Sequence, residues 1–251
     1  MGFLPYILLV LVPTILLSLW ASWRVRSNYS KWDKVDSGLR MSPFEFARYL
    51  LDRNGLQKVQ IEPTPGNLTD HYDPRSKTLR VSSAVAGSQR LGRYDPQVPN
   101  LGLGQLAQPG TTGLSVAAAA VIAHEVGHAA QDAQRDPFMA LRQLVVPVAQ
   151  IGSTIAPWLI IAGVFMRFTN LAVVGLVFFA AAVAFTFVTL PVEMGASKRA
   201  LALVQPLGLV GERADGVRAV LGAAGWTYVA AALTAILTFL YYASLVFGGR
   251  R

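Results

Sequence analysis

The 251-residue chain has no cysteine, few charged residues and only three histidines. Without cysteine there can be no disulfide-stapled secreted domain and no cysteine-ligated metal site. Charged residues make up 14% and hydrophobic residues 53% of the chain. A soluble domain usually carries about 25% charge. A disordered chain is therefore excluded and an ordinary soluble domain is disfavoured. Charge is absent altogether from Gly2 to Trp23, Gln143 to Met166, Phe168 to Val192 and Ala219 to Gly249. A bilayer core needs about 20 apolar residues per helix. These four stretches predict about four transmembrane helices in a mainly α membrane protein.

The net charge of +8 would suggest nucleic acid on a soluble protein. Here much of the basic charge flanks the apolar stretches, at Arg24, Arg26, Lys31 and Lys34, at Arg142, at Lys198 and Arg199, and at Arg250 and Arg251. That placement reads as membrane topology and contact with anionic headgroups of the lipid bilayer. No nucleic-acid-binding motif is present, so no nucleic-acid partner is expected. The first segment lacks a basic n-region, and its apolar run is longer than that of a signal peptide. It reads as a retained helix with Pro13 as a tolerated kink. Basic residues after the first span and around the third place that side of a multi-pass protein of the cell membrane in the cytoplasm.

Between the first two spans, residues 24–142 hold 26 of the chain's 36 charged residues. Ser42-Pro43-Phe44-Glu45 reads as a capping box with proline at the first helical position. The helix it opens ends at Asn54-Gly55. Gln57 to Glu62 and Thr78 to Ser83 alternate as two strands, a short β-hairpin joined by a loop over Pro63 to Lys77. Residues 89–113 are rich in glycine and proline without a period, as in a flexible loop or lid. This segment is thus a small α+β domain.

The chemistry concentrates at Ala117 to Gln134, an alanine-rich stretch without proline that predicts a helix. His124 and His128 are four residues apart, so both imidazoles project from one face and can bind one zinc. Glu125 lies about 100° further round the axis. From there its carboxylate reaches a water at the metal and not the metal itself. Together they form the HExxH constellation. Gly127, between the histidines, allows close backbone approach. Catalytic zinc takes a third protein ligand. Two candidates stand out. Glu193 follows Thr189-Leu190-Pro191-Val192 at the membrane end of the third span, where an ionisable group is costly unless paired or metal-bound. His71 lies in Asp70-His71-Tyr72-Asp73-Pro74-Arg75.

Several segments together resemble the YugP-like family of bacterial membrane zinc metallopeptidases. They are Ser37-Gly38, Leu51 to Leu56, Leu68 to Arg75, Ala123 to Gln131, Leu190 to Glu193 with Ala196-Ser197, and Thr227 to Ala231. The resemblance spans most of the chain. It implies a zincin-like domain of gluzincin type with one Zn2+ per chain, held by His124, His128 and Glu193, and Glu125 as the base. The implied order is a transmembrane helix at 1–23 and the zincin-like domain at 24–142. Two transmembrane helices follow at 143–192, then a helix at 193–218 carrying the third ligand, and a last transmembrane helix and tail at 219–251. The sequence departs from the family at Gly195, where relatives carry an acid that can orient a histidine ligand. Asp132 and Asp215 are the candidates to replace it. Residues 89–113 also look longer than in relatives.

The resulting expectation is a zinc-dependent endopeptidase that cuts a protein or peptide substrate near the membrane surface. Glu125 would accept the water's proton and pass it to the leaving amine. The peptide would lie extended, adding to the edge of the Thr78 to Ser83 strand. His71 ranks before Tyr72 and Arg75 as the oxyanion donor and is the second catalytic candidate. Two other classes stay open: a zinc-holding scaffold or adaptor that binds without cutting, and a small transporter using the polar residues of the second span.

Overall fold

The computed structural model describes residues 6–87 and 113–248. The expected loop over 89–113 falls almost wholly outside the described residues. Among the described residues, four helices are long and apolar enough to cross a membrane: Ile7–Trp32, Pro137–Phe165, Thr169–Leu207 and Glu212–Gly248. The chain divides into two compact units. One comprises Met1–Trp23, Pro137–Glu193 and Ala224–Arg251; the other comprises Arg24–Asp136 and Met194–Ala223.

The described residues of the first unit are helical apart from the turn at 166–168. A π-helical turn at Ile7–Leu11 leads into α1, Val12–Trp32. Pro13 stands at that junction, where the wider turn accommodates a residue that has no amide hydrogen to donate. Helix α5 (Pro137–Phe165) contains Pro147 and Pro157, and α6 (Thr169–Val204) contains Pro191. The turn between them is tight, with Arg167 in the left-handed region at φ 54°. Small residues bring the two backbones together: a Cβ on Gly152 would lie 2.5 Å from the Phe178 carbonyl oxygen, and one on Gly163 would collide with the Ala172 backbone. Such close approach is the usual packing device where lipid removes the hydrophobic drive between helices. Val246 of α7 (Glu212–Gly248) joins Ile160 and Ala172 in a small core. Trp158, at 72% exposed, and Phe165, Leu144 and Val177 point outward. Apolar surface on that scale needs a lipid environment.

In the second unit, α2 (Pro43–Arg53) starts as the sequence dictates. The Ser42 hydroxyl accepts from the Glu45 amide at 3.2 Å, and the Glu45 carboxylate accepts from the Ser42 amide at 2.7 Å. A three-stranded sheet follows, made of β1 (Gln60–Thr64), β2 (His71–Asp73) and β3 (Thr78–Ser82), in the order β1-β3-β2. The short helix α3 (Ser83–Ala86) leads on towards α4 (Val116–Ala133), whose N-cap is Ser115. Phe46, Leu50 and Leu51 of α2, Leu79 and Val81 of β3, and Ile122 of α4 are fully buried. The alanines at 117–120 leave α4 slim enough to be buried nearly all round.

The sheet corrects the sequence reading in three ways. A third strand, His71–Asp73, lies inside the segment read as a loop; three residues are too few for alternation to register. The antiparallel hairpin joins β2 and β3, whereas β1 runs parallel to β3. The first strand is also shifted, to Gln60–Thr64. Pro63 is tolerated in it because β1 is an edge strand.

Candidate metal centre

Helix α4 presents His124 and His128 as neighbours, with ring centroids 4.7 Å apart and planes at 84°. Gly127 lies between them because α6 crosses there. A Cβ at Gly127 would sit 2.7 Å from the Ala196 carbonyl oxygen and 3.2 Å from two further backbone atoms of the same residue. Only glycine lets the two backbones meet so closely. Glu193 lies on α6, three residues before Ala196, and is buried. His124, His128 and Glu193 each offer one ligand atom, and those atoms all lie within 4.8 Å of one another. This cluster could hold a metal ion. Two imidazole nitrogens and one carboxylate oxygen are a donor set that suits zinc.

Polar neighbours orient these groups. The Nδ1 atom of His128 is 2.9 Å from Oε1 of the buried Gln131. The Nδ1 atom of His124 is 3.2 Å from the Ser197 hydroxyl. An Arg142 guanidinium nitrogen is 3.2 Å from a Glu193 carboxylate oxygen. Partners of this kind fix ligand orientation in metal sites. Asp132 and Asp215, the expected replacements for the acid missing at Gly195, do neither. Asp132 accepts from Tyr72 and Lys77, and Asp215 pairs with Arg218. Gln131 takes the place instead: a Cβ on Gly195 would lie 2.7 Å from its Nε2. Arg199, six residues after Glu193 on α6, binds Gln134 and Asp136 instead.

Glu125 is buried on α4, and one carboxylate oxygen accepts the Tyr72 amide hydrogen at 2.9 Å. His71 is not in the cluster. It is exposed on β2, with Nδ1 2.9 Å from the Thr69 carbonyl and Nε2 3.4 Å from an Arg80 nitrogen. The edge of β3 is not available to a peptide, because β1 and β2 occupy both its sides; β2 is the edge strand beside α4. Gln131 carried a readable signal, since a polar residue three positions after His128 on an alanine-rich helix shares its face. Ser197 stands only within a segment that carries the family resemblance and Arg142 only among the basic flanks; neither is marked as a partner of the histidines, from which both are remote in sequence. The Tyr72 contact is made by a backbone group, which no residue pattern marks.

Asp70 precedes His71 in the chain and is tied to the end of β3. Its carboxylate accepts from the Ser82 amide and the Ser82 hydroxyl, both at 2.6 Å. Burial nevertheless pushes it up to about 6, outweighing those two bonds, and the nearby Glu125 carboxylate adds to the rise. The folded protein therefore keeps a proton on Asp70 at pH values where the unfolded chain has lost it. Stability should fall as pH rises between about 4 and about 6, and this group adds no slope above that. In thermal unfolding, wild type should lose midpoint relative to Asp70→Asn across that window. Parallel curves for the two proteins would contradict this.

Fold and cluster together define a membrane protein of several helices with a His-His-Glu group that could hold a metal ion. A model of the family described as "Putative neutral zinc metallopeptidase" matches residues 7–93 and 89–247. The chain is also 37% identical over 235 residues to "Putative membrane protease YugP" of Bacillus subtilis, an alignment that covers 93% of each chain. No solved structure matches. The chain belongs to the neutral zinc metallopeptidase family, and its membrane character accords with both the relative and its own four apolar helices.

Proposed function

We propose that the protein is a membrane-embedded zinc endopeptidase that hydrolyses peptide bonds of protein substrates near the membrane surface, on the cytoplasmic side. The observation that carries this reading is a buried Glu125 carboxylate next in the chain to His124 on α4, the helix that supplies two of the three members of the His124–His128–Glu193 cluster. In this reading His124, His128 and Glu193 hold the ion. Gln131 and Ser197 engage the Nδ1 atoms, so Nε2 is the nitrogen each ring presents. Zinc held there supplies Lewis acidity, polarising a carbonyl and making a water acidic near neutral pH.

The other roles fall to this chain's own side chains. Glu125 takes a proton from the attacking water and hands it to the departing amine. Its carboxylate is held for that task by the Tyr72 amide. An extended peptide lies beside β2, and not along β3; the Tyr72 amide is engaged by Glu125, so the peptide does not extend the ladder there. His71, on that same strand and exposed, is assigned to the substrate and not to the metal. Its Nδ1 contact with Thr69 fixes the ring, and Arg80 supplies positive charge beside Nε2. The cytoplasmic placement rests on the basic residues Arg24, Arg26, Lys31, Lys34, Lys198, Arg199, Arg213 and Arg218.

The test is cleavage of an unfolded membrane protein by the full chain in proteoliposomes. A zinc chelator should abolish cleavage, and added zinc should restore it. Cleavage that persists after chelation, with no zinc left on the chain, would overturn the proposal.

A further inference from the structure

Tyr72 touches α4 at two places. Its amide donates to Glu125 and its hydroxyl donates to Asp132 at 2.7 Å. Glu125 and Asp132 are seven residues apart, two turns of one helix, so they lie on one face about 10 Å apart along the axis. Asp132 also accepts from the Lys77 ammonium at 2.6 Å. Lys77 ends the turn between β2 and β3 and adopts a left-handed conformation at φ 52°.

The hairpin register explains why the amide is available. Tyr72 stands opposite Leu79. In an antiparallel pair, residues alternate between those that bond across the ladder and those that do not. Because the Tyr72 amide goes to Glu125, Tyr72 is of the second kind, and its amide and carbonyl face away from β3. Strand β2 has three residues and lies at the sheet edge. So short a strand is weakly held by its ladder. Its distance from Glu125 depends on what else fastens it.

We propose that Tyr72 is a positioning residue for Glu125, and that Asp132, gripping both the Tyr72 hydroxyl and Lys77, is the lock that sets its register. The inference rests on the reading of Glu125 as general base. Tyr72 does not touch the reacting atoms; it aims the carboxylate through its backbone. Releasing the hydroxyl lets β2 drift and frees the base to turn away from the water.

The test compares wild type with Tyr72→Phe, Asp132→Asn, their double variant, and Tyr72→Phe combined with Glu125→Gln. Misplacement of a catalytic group by about 1 Å costs on the order of a hundredfold. Each single variant should lose about ten- to a hundredfold in kcat, with KM within about twofold and one zinc retained. The double variant should lose no more than either single one, and Tyr72→Phe should cost nothing further once Glu125 is glutamine. Amide exchange of the peptide spanning residues 70–78 should quicken in Asp132→Asn. Full kcat in both single variants, a loss in KM alone, or additive losses would overturn the proposal. If wild type cleaves nothing, the peptidase reading fails by itself. Exchange then decides the clamp: quickened exchange in Asp132→Asn supports it, and unchanged exchange overturns it.

Discussion

Glu125→Gln should keep one zinc per chain and lose peptide cleavage by about a hundred- to ten-thousandfold, the range that a positioned general base contributes. The substitution preserves size and shape. The amide oxygen of glutamine can still accept from the Tyr72 amide, so β2 and α4 keep their register. What is lost is the capacity to take up a proton. Because a buried charge is replaced by a neutral group, thermal stability should stay level or rise. Inactivity through unfolding is thereby distinguishable from inactivity through lost chemistry. A protein that only holds zinc as a scaffold would behave in the opposite way, with its function indifferent to this exchange. Full cleavage by Glu125→Gln would remove Glu125 from the mechanism.

Gly127→Val should have the largest structural effect. Even the first added carbon would lie 2.7 Å from the Ala196 carbonyl oxygen, with more backbone at 3.2 Å. Backbone inside a helix cannot swing aside as a side-chain tip can. Overpacking of this kind costs about 1–3 kcal/mol and occasionally more. Here α6 must move away from α4 within one turn of Glu193, so the expected result is loss of zinc together with a lowered unfolding midpoint. Gly195→Ala is the informative contrast. Its added carbon would meet only the amide end of Gln131, at 2.7 Å. That side chain can yield, at the expense of its bond to His128. Zinc should be retained but held more weakly, by about ten- to a hundredfold, as when other outer partners of metal ligands are lost. Zinc content and thermal unfolding of the two variants check both statements. Equal behaviour would show that the backbone contact at Gly127 is not what separates them.

The parts of this protein that were legible from sequence are those whose cause is local. Ser42 and Glu45 announce α2 because both halves of the capping box lie within four residues. The four apolar helices are legible because lipid imposes a length and forbids charge over that length. His124 and His128 share a face through helical periodicity alone. Glu193 is different, because nothing near it in the chain names its partners. Its place at the membrane end of the third span made it one of two candidates, the resemblance to the family chose it over His71, and the folded chain brings the three together. Strand β2 was missed because three residues cannot display a period. The Asp132 expectation failed for a related reason: an acid four residues after His128 could equally have faced the histidine or the hairpin. Tyr72 and Lys77 decide in favour of the hairpin, and both lie more than fifty residues away. Gln131 fills the space over Gly195 only because that residue is glycine, a complementarity that becomes visible once α4 and α6 are packed.

The most direct measurement is zinc per chain, by elemental analysis of detergent-purified wild type, Glu193→Ala and His71→Ala. A site built by His124, His128 and Glu193 predicts about one zinc in wild type, its loss in Glu193→Ala and its retention in His71→Ala. Loss in His71→Ala with retention in Glu193→Ala, or a folded wild type that binds no zinc, would contradict it.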